Sequence, residues 1–223
     1  MNATDPELTR AIAAMAVLGI AVDHRLIADG DEAALLADEM AAFAGSVTKV
    51  RRASGAARIV ARQLMSRFGH KPQAIRKSTG GMPLWPGDIV GSLAHDARVA
   101  VAAMAAQRDF LGIGIDVEPA EPIDPDLLSM IATPAELAAA PAEPIRGRLL
   151  FSIKEAVYKA VYPLDGRFLD HHDVEVSVAA GTARVRDGRE VRFRHCAARH
   201  IVVLAFIPQP AGGFSRFSAP KER

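Results

Sequence analysis

The sequence predicts an α+β fold made of two similar α/β modules related by a pseudo-twofold axis, with a site at their interface. A helical apolar pattern followed by strand-like runs occurs twice in the 223 residues, from Arg51 to Glu118 and from Ile145 to Ile207. Between them lies a proline-rich stretch that sustains neither periodicity. The expected division is residues 1–118, a connecting segment 119–145, and residues 146–223. Charge is divided in the same way. From Lys49 to Lys77 there are nine Lys or Arg and no acid, and from Asp109 to Glu143 eight acids and no Lys or Arg, beneath a formal net charge of only +1. A basic helix in one half can therefore neutralise an anion while the other half supplies metal ligands or a solvated acidic surface.

The elements follow in order. Leu8 to Val22 mixes alanine with larger apolar residues and suits either a helix or a buried strand. Asp31 to Phe43 reads as one amphipathic helix with Leu35, Leu36, Met40 and Phe43 on its stripe, stopped near Gly45. Arg51 to Phe68 is strongly helical, and Arg58 and Arg62 lie one turn apart on it. Gly80 to Gly87 is a loop. Ala97–Ala106 and Phe110–Glu118 form a hairpin about Gln107-Arg108-Asp109, ending before Pro119. Thr133-Pro134-Ala135-Glu136 has capping-box spacing. A helix from Ile145 to Val161 stops before Pro163. Val174–Val178, Ala183–Val185, Val191–His195 and Ile201–Ile207 make a small antiparallel sheet, and the tail past Pro208 frays.

Composition excludes several classes. Half the residues are hydrophobic, enough to bury a core. Tyr and Trp are too scarce for a nucleic-acid stacking platform. Cys196 is the only cysteine, which removes intramolecular disulfides and Cys-rich zinc sites and favours a reducing compartment. No stretch has the length and apolarity of a transmembrane helix, and the first residues lack the basic flank of a secretory signal, so the cytoplasm is the expected location.

The chemistry concentrates in two segments, Gly112-Ile113-Gly114-Ile115-Asp116-Val117-Glu118 and Phe151-Ser152-Ile153-Lys154-Glu155-Ala156-Val157-Tyr158-Lys159-Ala160. Asp116 and Glu118 lie two apart in a strand and share a face, while Phe151, Glu155 and Lys159 lie four apart on a helix and share another. That arrangement suits a divalent cation and a phosphorylated substrate. Gly112-Ile113-Gly114 is not a dinucleotide fingerprint, because the third glycine and the following helix are missing. Adjacent His171 and His172 specify no metal geometry and are expected at the surface.

Together with Gly91-Ser92-Leu93-Ala94-His95, in that order and spacing, these segments resemble the 4'-phosphopantetheinyl transferases, specifically the short bacterial class associated with siderophore and other peptide synthetases. Arg51-Arg52, Gly55, Arg58 and Pro83-Leu84-Trp85-Pro86-Gly87 extend the match, which covers roughly residues 38 to 168. The resemblance implies transfer of the phosphopantetheine arm from coenzyme A to a serine of an apo acyl or peptidyl carrier protein, releasing adenosine 3',5'-bisphosphate. It implies Mg2+ held by Asp116, Glu118 and Glu155, with Asp116 also near the substrate diphosphate. Glu155 matches the general base toward the serine, with an ion-held water as the alternative relay. Lys159 engages phosphate or developing charge, unless it only pairs with Glu155 one turn away. His95, with Ser92 in its motif, matches the histidine that contacts the 3'-phosphate. Arg51, Arg58, Lys77, Gly81 and Pro83 complete the coenzyme A side in residues 1–118. Residues 146–223 take the metal and carrier side, with docking around Ala120 to Arg148. Phe151 stands where many relatives carry tryptophan, and Ala53-Ser54-Gly55-Ala56-Ala57 lacks the usual acidic and aromatic character before the arginine. A complete site within one chain makes a monomer the expectation. The competing function is a metal-dependent nucleotide or phosphoanhydride hydrolase, in which water replaces the serine.

Overall fold

The computed structural model describes residues 4–138 and 144–210. Its helices are α1 (Pro6–Ala14), α2 (Ala37–Met40), α3 (Thr48–Arg67), α4 (Pro125–Ile131), α5 (Pro134–Ala138) and α6 (Arg146–Asp165). Its strands are β1 (Ile20–Leu26), β2 (Ile89–His95), β3 (Val99–Ala106), β4 (Phe110–Pro119), β5 (Val174–Ser177), β6 (Thr182–Val185), β7 (Glu190–Ala197) and β8 (His200–Pro208). They form two antiparallel sheets, one ordered β1-β3-β2 and the other β4-β8-β7-β6-β5. The fold is α+β, with helices flanking both sheets.

The central strands are apolar at nearly every position because both of their faces are buried. On β3, Ala102 and Met104 lie under α3 with Val60, Ala61, Leu64 and Met65, whereas Val101, Ala103 and Ala105 face the core between the sheets. On β8, Val202, Leu204 and Phe206 enter that same inter-sheet core, and Ile201, Val203 and Ala205 pack beneath α6. The ambiguous first segment divides into two elements. Helix α1 adds Leu8, Ile12 and Met15 to the inter-sheet core, and Gly19, at φ +87°, turns the chain into β1.

Three expectations need correction. Strands β3 and β4 do not pair as a hairpin: β4 instead ladders with β8, so the turn at residues 107–109 carries the chain from one sheet to the other. Local adjacency and apolar alternation suit either partner, and only packing chooses between them. The expected helix from Asp31 to Phe43 breaks into a 3-10 turn, the four-residue α2 and a second 3-10 turn. Two of its acids, Asp31 and Glu39, point inward rather than to solvent. Asp31 binds Arg25 at 2.7 Å, while Glu39 accepts from Leu36 N at 2.8 Å and from Ile75 N at 2.7 Å. The third correction is the end of α6, which runs through Pro163 to Asp165 and stops at Gly166, φ +69°. A proline in the last turn removes only the donor to the Lys159 carbonyl. The capping box is present, with Thr133 N donating to Glu136 at 2.7 Å and Glu136 N to Thr133 Oγ1 at 3.2 Å. The Pro/Gly/Ser tail and part of the 119–145 connection, residues 211–223 and 139–143, lie outside the described residues.

Candidate active site

Strand β4 has two distinct faces. Ile113, Ile115 and Val117 enter the inter-sheet core, and the alternate residues meet α6 in successive steps. A Cβ on Gly112 would sit 2.2 Å from the Ala160 carbonyl oxygen, and one on Gly114 only 1.8 Å from that of Ala156. Next along, Asp116 accepts from Ser152 Oγ at 2.8 Å, and Glu118 pairs with Arg148 at 3.1 Å. Four helical residues advance about 6 Å and two strand residues about 6.6 Å, so the rungs 112/160, 114/156, 116/152 and 118/148 stay nearly in step. The glycines serve helix contact, and that contact sets where the carboxylates lie.

Lys159 completes this acidic side, with Nζ 2.6 Å from the second oxygen of Asp116. Its ion pair is therefore made across to the strand rather than along its own helix. Asp116 is buried and both of its oxygens are engaged. Burial, followed by the charge of Asp116, raises the Glu118 pKa above the usual carboxylate range, against the opposing pull of Arg148. Such crowded negative charge suits a hard cation with oxygen ligands. Among the described residues, however, no three of the His, Cys, Asp or Glu side chains are grouped closely enough to hold a metal ion. The structure therefore does not gather Asp116, Glu118 and Glu155 into a finished cage; Lys159 and Arg148 neutralise the strand pair instead. Glu155 lies on α6 between Ser152 and Lys159, and its Oε1 is 3.6 Å from His171 Nε2.

The basic side is a cavity of about 150 Å³ lined by Ser54, Ala57, Arg58, Lys77, Gly81, Pro83, Leu93 and His95. Helix α3 supplies the first three. Lys77 and Pro83 form an isolated bridge closed by a turn in which Gly81 N donates to Ser78 O, and Gly81 takes φ +84°. Arg58 is 2% exposed and donates to the Ile75 carbonyl at 3.0 Å. Phe43 lies beneath both cations, 5.0 Å from Arg58 and 4.5 Å from Lys77. Burial lowers the pKa of Arg58, Lys77 and His95; Arg58 further depresses Lys77, and Lys159 and Lys77 further depress His95. A phosphate would relieve this accumulation of positive charge. His95 lies between the two sides, at the end of β2, which packs against β4.

The other predicted residues lie elsewhere. Arg51 is occupied at the start of α3, donating to Ser46 O at 2.7 Å and Thr48 Oγ1 at 3.2 Å. Ser92 is buried on β2, and strand alternation turns it from the face that carries Leu93 and His95. Neither lines the cavity. A larger cavity of about 420 Å³, beside β5 and β6, contains none of the predicted site residues. Sequence reasoning did not single out Ser152, Arg148, Glu39 or Lys154. Lys154, on the buried side of α6, donates to Glu136 at 2.9 Å and to the Ile131 and His171 carbonyls at 2.8 Å each. Only the capping-box glutamate gave a local signal for one of these partners.

A cation-lined cavity and a strand–helix carboxylate pair suit a transferase or hydrolase of phosphorylated substrates. Comparison with known proteins decides between them. Residues 38–105 match the 4'-phosphopantetheinyl transferase N-terminal domain, and residues 112–205 match the 4'-phosphopantetheinyl transferase superfamily. The chain is 35% identical over 200 residues, 80% of each chain, to the 4'-phosphopantetheinyl transferase Svp of Streptomyces mobaraensis. It is 37% identical to Npt of Nocardia iowensis, over 66% of this chain and 65% of the relative. With PptT of Mycobacterium tuberculosis it shares 36% identity over 64% of each chain. The chain belongs to the 4'-phosphopantetheinyl transferase superfamily. It is an enzyme that transfers the phosphopantetheine arm of coenzyme A to a carrier-protein serine.

Proposed function

We infer that Arg58, Lys77 and His95 hold the coenzyme A phosphates, and that Asp116, Glu118, Glu155 and Lys159 form the reaction centre beside them. The observation carrying this reading is the position of Lys159, bonded at 2.6 Å to Asp116 on β4, the strand against which β2 packs, with His95 at the end of β2. Gly81 and Pro83 shape the cavity wall; Arg51 and Ser92 act on coenzyme A only if they turn from their present partners and faces. The carrier serine is deprotonated by Glu155 as its Oγ bonds to phosphorus and the phosphoanhydride P–O bond breaks, the electron pair leaving on adenosine 3',5'-bisphosphate. Lys159 stabilises the charge that develops. The oxygen donors of Asp116, Glu118 and Glu155 would hold Mg2+, which when bound supplies screening of the diphosphate charge.

Each half sets a twenty-residue helix, α3 or α6, against an antiparallel sheet, which supports two related modules about a pseudo-twofold axis. The membership of β4 in the second sheet supports drawing their boundary at residues 107–109 rather than after Glu118. The carrier domain docks near α4 and α5, where Leu127, Met130 and Leu137 are exposed. Peptide-synthetase carriers are the acceptors to try first, with a monomeric enzyme in a reducing cytoplasm as the setting. Among the described residues no helix is long and apolar enough to cross a membrane.

The test is intact-mass analysis of apo carrier proteins after incubation with coenzyme A and Mg2+. The expected product carries one phosphopantetheine on serine, and Asp116→Asn and Glu155→Gln reduce its formation by at least about 100-fold. Wild-type rates in either variant would refute the assigned centre.

A further inference from the structure

We propose that His171 is a positioning residue for Glu155: an imidazole N–H orients the carboxylate that takes the serine proton. This rests on the reading of Glu155 as base. His171 Nε2 is buried without a hydrogen-bond partner, and Glu155 Oε1 stands 3.6 Å away. The ring stacks on Phe151, with centroids 5.8 Å apart and planes at 24°. Phe151 lies one helical turn before Glu155, so ring and carboxylate share a face of α6.

The backbone beneath the ring is fixed from several sides. Lys154 Nζ donates to the His171 carbonyl at 2.8 Å and is itself held by Glu136, whose other oxygen accepts from Val176 N at 2.8 Å. Asp170 accepts from His172 N at 3.2 Å, and Asp173 accepts from Asp170 N at 3.0 Å. The buried side of α6 thus anchors the segment whose imidazole approaches the reactive side.

At 3.6 Å the contact exceeds hydrogen-bond range, and about half an ångström of closure completes it. Catalytic hydrogen bonds are often long in free enzymes and tighten when substrate arrives. A glutamate side chain loses rotamer freedom when it is fixed. A donor on one oxygen reduces that cost at the transition state and leaves the other oxygen for the serine.

The experiment compares His171→Phe, which retains the stack and removes the N–H, with His171→Gln, which restores a donor. The readouts are kcat, KM for coenzyme A, calorimetric coenzyme A affinity and melting temperature. In His171→Phe we expect kcat to fall about 10- to 100-fold, the usual range for loss of an orienting partner, with KM, affinity and melting temperature unchanged. His171→Gln should recover part of the loss, and His172→Phe, at the exposed neighbour, should behave as wild type. Wild-type kcat in His171→Phe overturns the proposal, as does a loss that tracks lowered melting temperature or is matched by His172→Phe. Glu155→Gln, assayed in parallel, separates the two ideas. Should it lose transfer while His171→Phe does not, the base assignment stands and the role of His171 falls; full activity in Glu155→Gln removes both.

Discussion

Glu39 has no exposed surface and bonds Arg62 at 3.0 Å, Arg58 at 3.3 Å and two backbone amides. Removing one member of a buried charge cluster leaves the others uncompensated and costs about 3–5 kcal/mol. Glu39→Ala should therefore lower the unfolding free energy obtained from urea titration by that much; a loss below about 1 kcal/mol would contradict the cluster's role. His95 has a distinct pH signature. In the free enzyme burial and nearby lysines lower its pKa, and bound phosphate opposes them, so coenzyme A binding takes up protons between the two values. Coenzyme A should bind most tightly below the free-state pKa and lose affinity as pH rises through the bound-state pKa. Calorimetry across pH should find this component missing in His95→Gln, and identical profiles for both proteins would exclude it. The spacings of Asp116 with Glu118, and of Glu155 with Lys159, were legible because they follow strand and helix periods. Ser152, Arg148 and Phe43 were not, because each acts on a residue distant in sequence.

At the scale of elements, the contact between α6 and β4 depends on the lack of a side chain at Gly114. Gly114→Ala places a methyl group against the Ala156 carbonyl and must push the helix outward. Overpacking of this kind costs about 1–3 kcal/mol, and displacing Ser152 and Lys159 from Asp116 should lower transfer at least about tenfold. Gly45→Ala, where nothing lies within 4 Å and φ is not positive, is the matched control. Equal activity in the two variants would detach the carboxylates from this contact. The long helices were legible from their period. The sheet assignment of β4 was not: Ile113, Ile115 and Val117 mark a buried face without naming the neighbouring strand. The 31–43 segment misled because an inward-facing Glu39 has the sequence pattern of a solvent-facing one.

Across the whole molecule, His24 is buried and its pKa is lowered chiefly for that reason, while local desolvation lowers those of His95 and His195 at exposed strand positions, where solvent screening weakens the effect. As pH falls below about 6.5 the unfolded chain takes up protons before the folded one, so stability declines until the folded-state values are passed and levels off above that window. Denaturant midpoints measured from about pH 8 to about pH 5 should fall on the acid side, and a rising midpoint would contradict these burial shifts. The α+β class was legible in the repeated helix-then-strand pattern, whereas the division of the strands into two sheets depended on a pairing that only the folded chain reveals. The rungs between β4 and α6 also have a consequence for the molecule's shape. Each strand step exceeds its helical counterpart by about 0.6 Å, so the mismatch approaches about 2 Å over three intervals. Separately from this slip in register, the spanning pairs lengthen from glycine against backbone, through Asp116 with Ser152, to Glu118 with Arg148. Strand and helix thus touch backbone to backbone at the glycine end and are spanned by side chains at the other, which leaves the room between them where the acids stand.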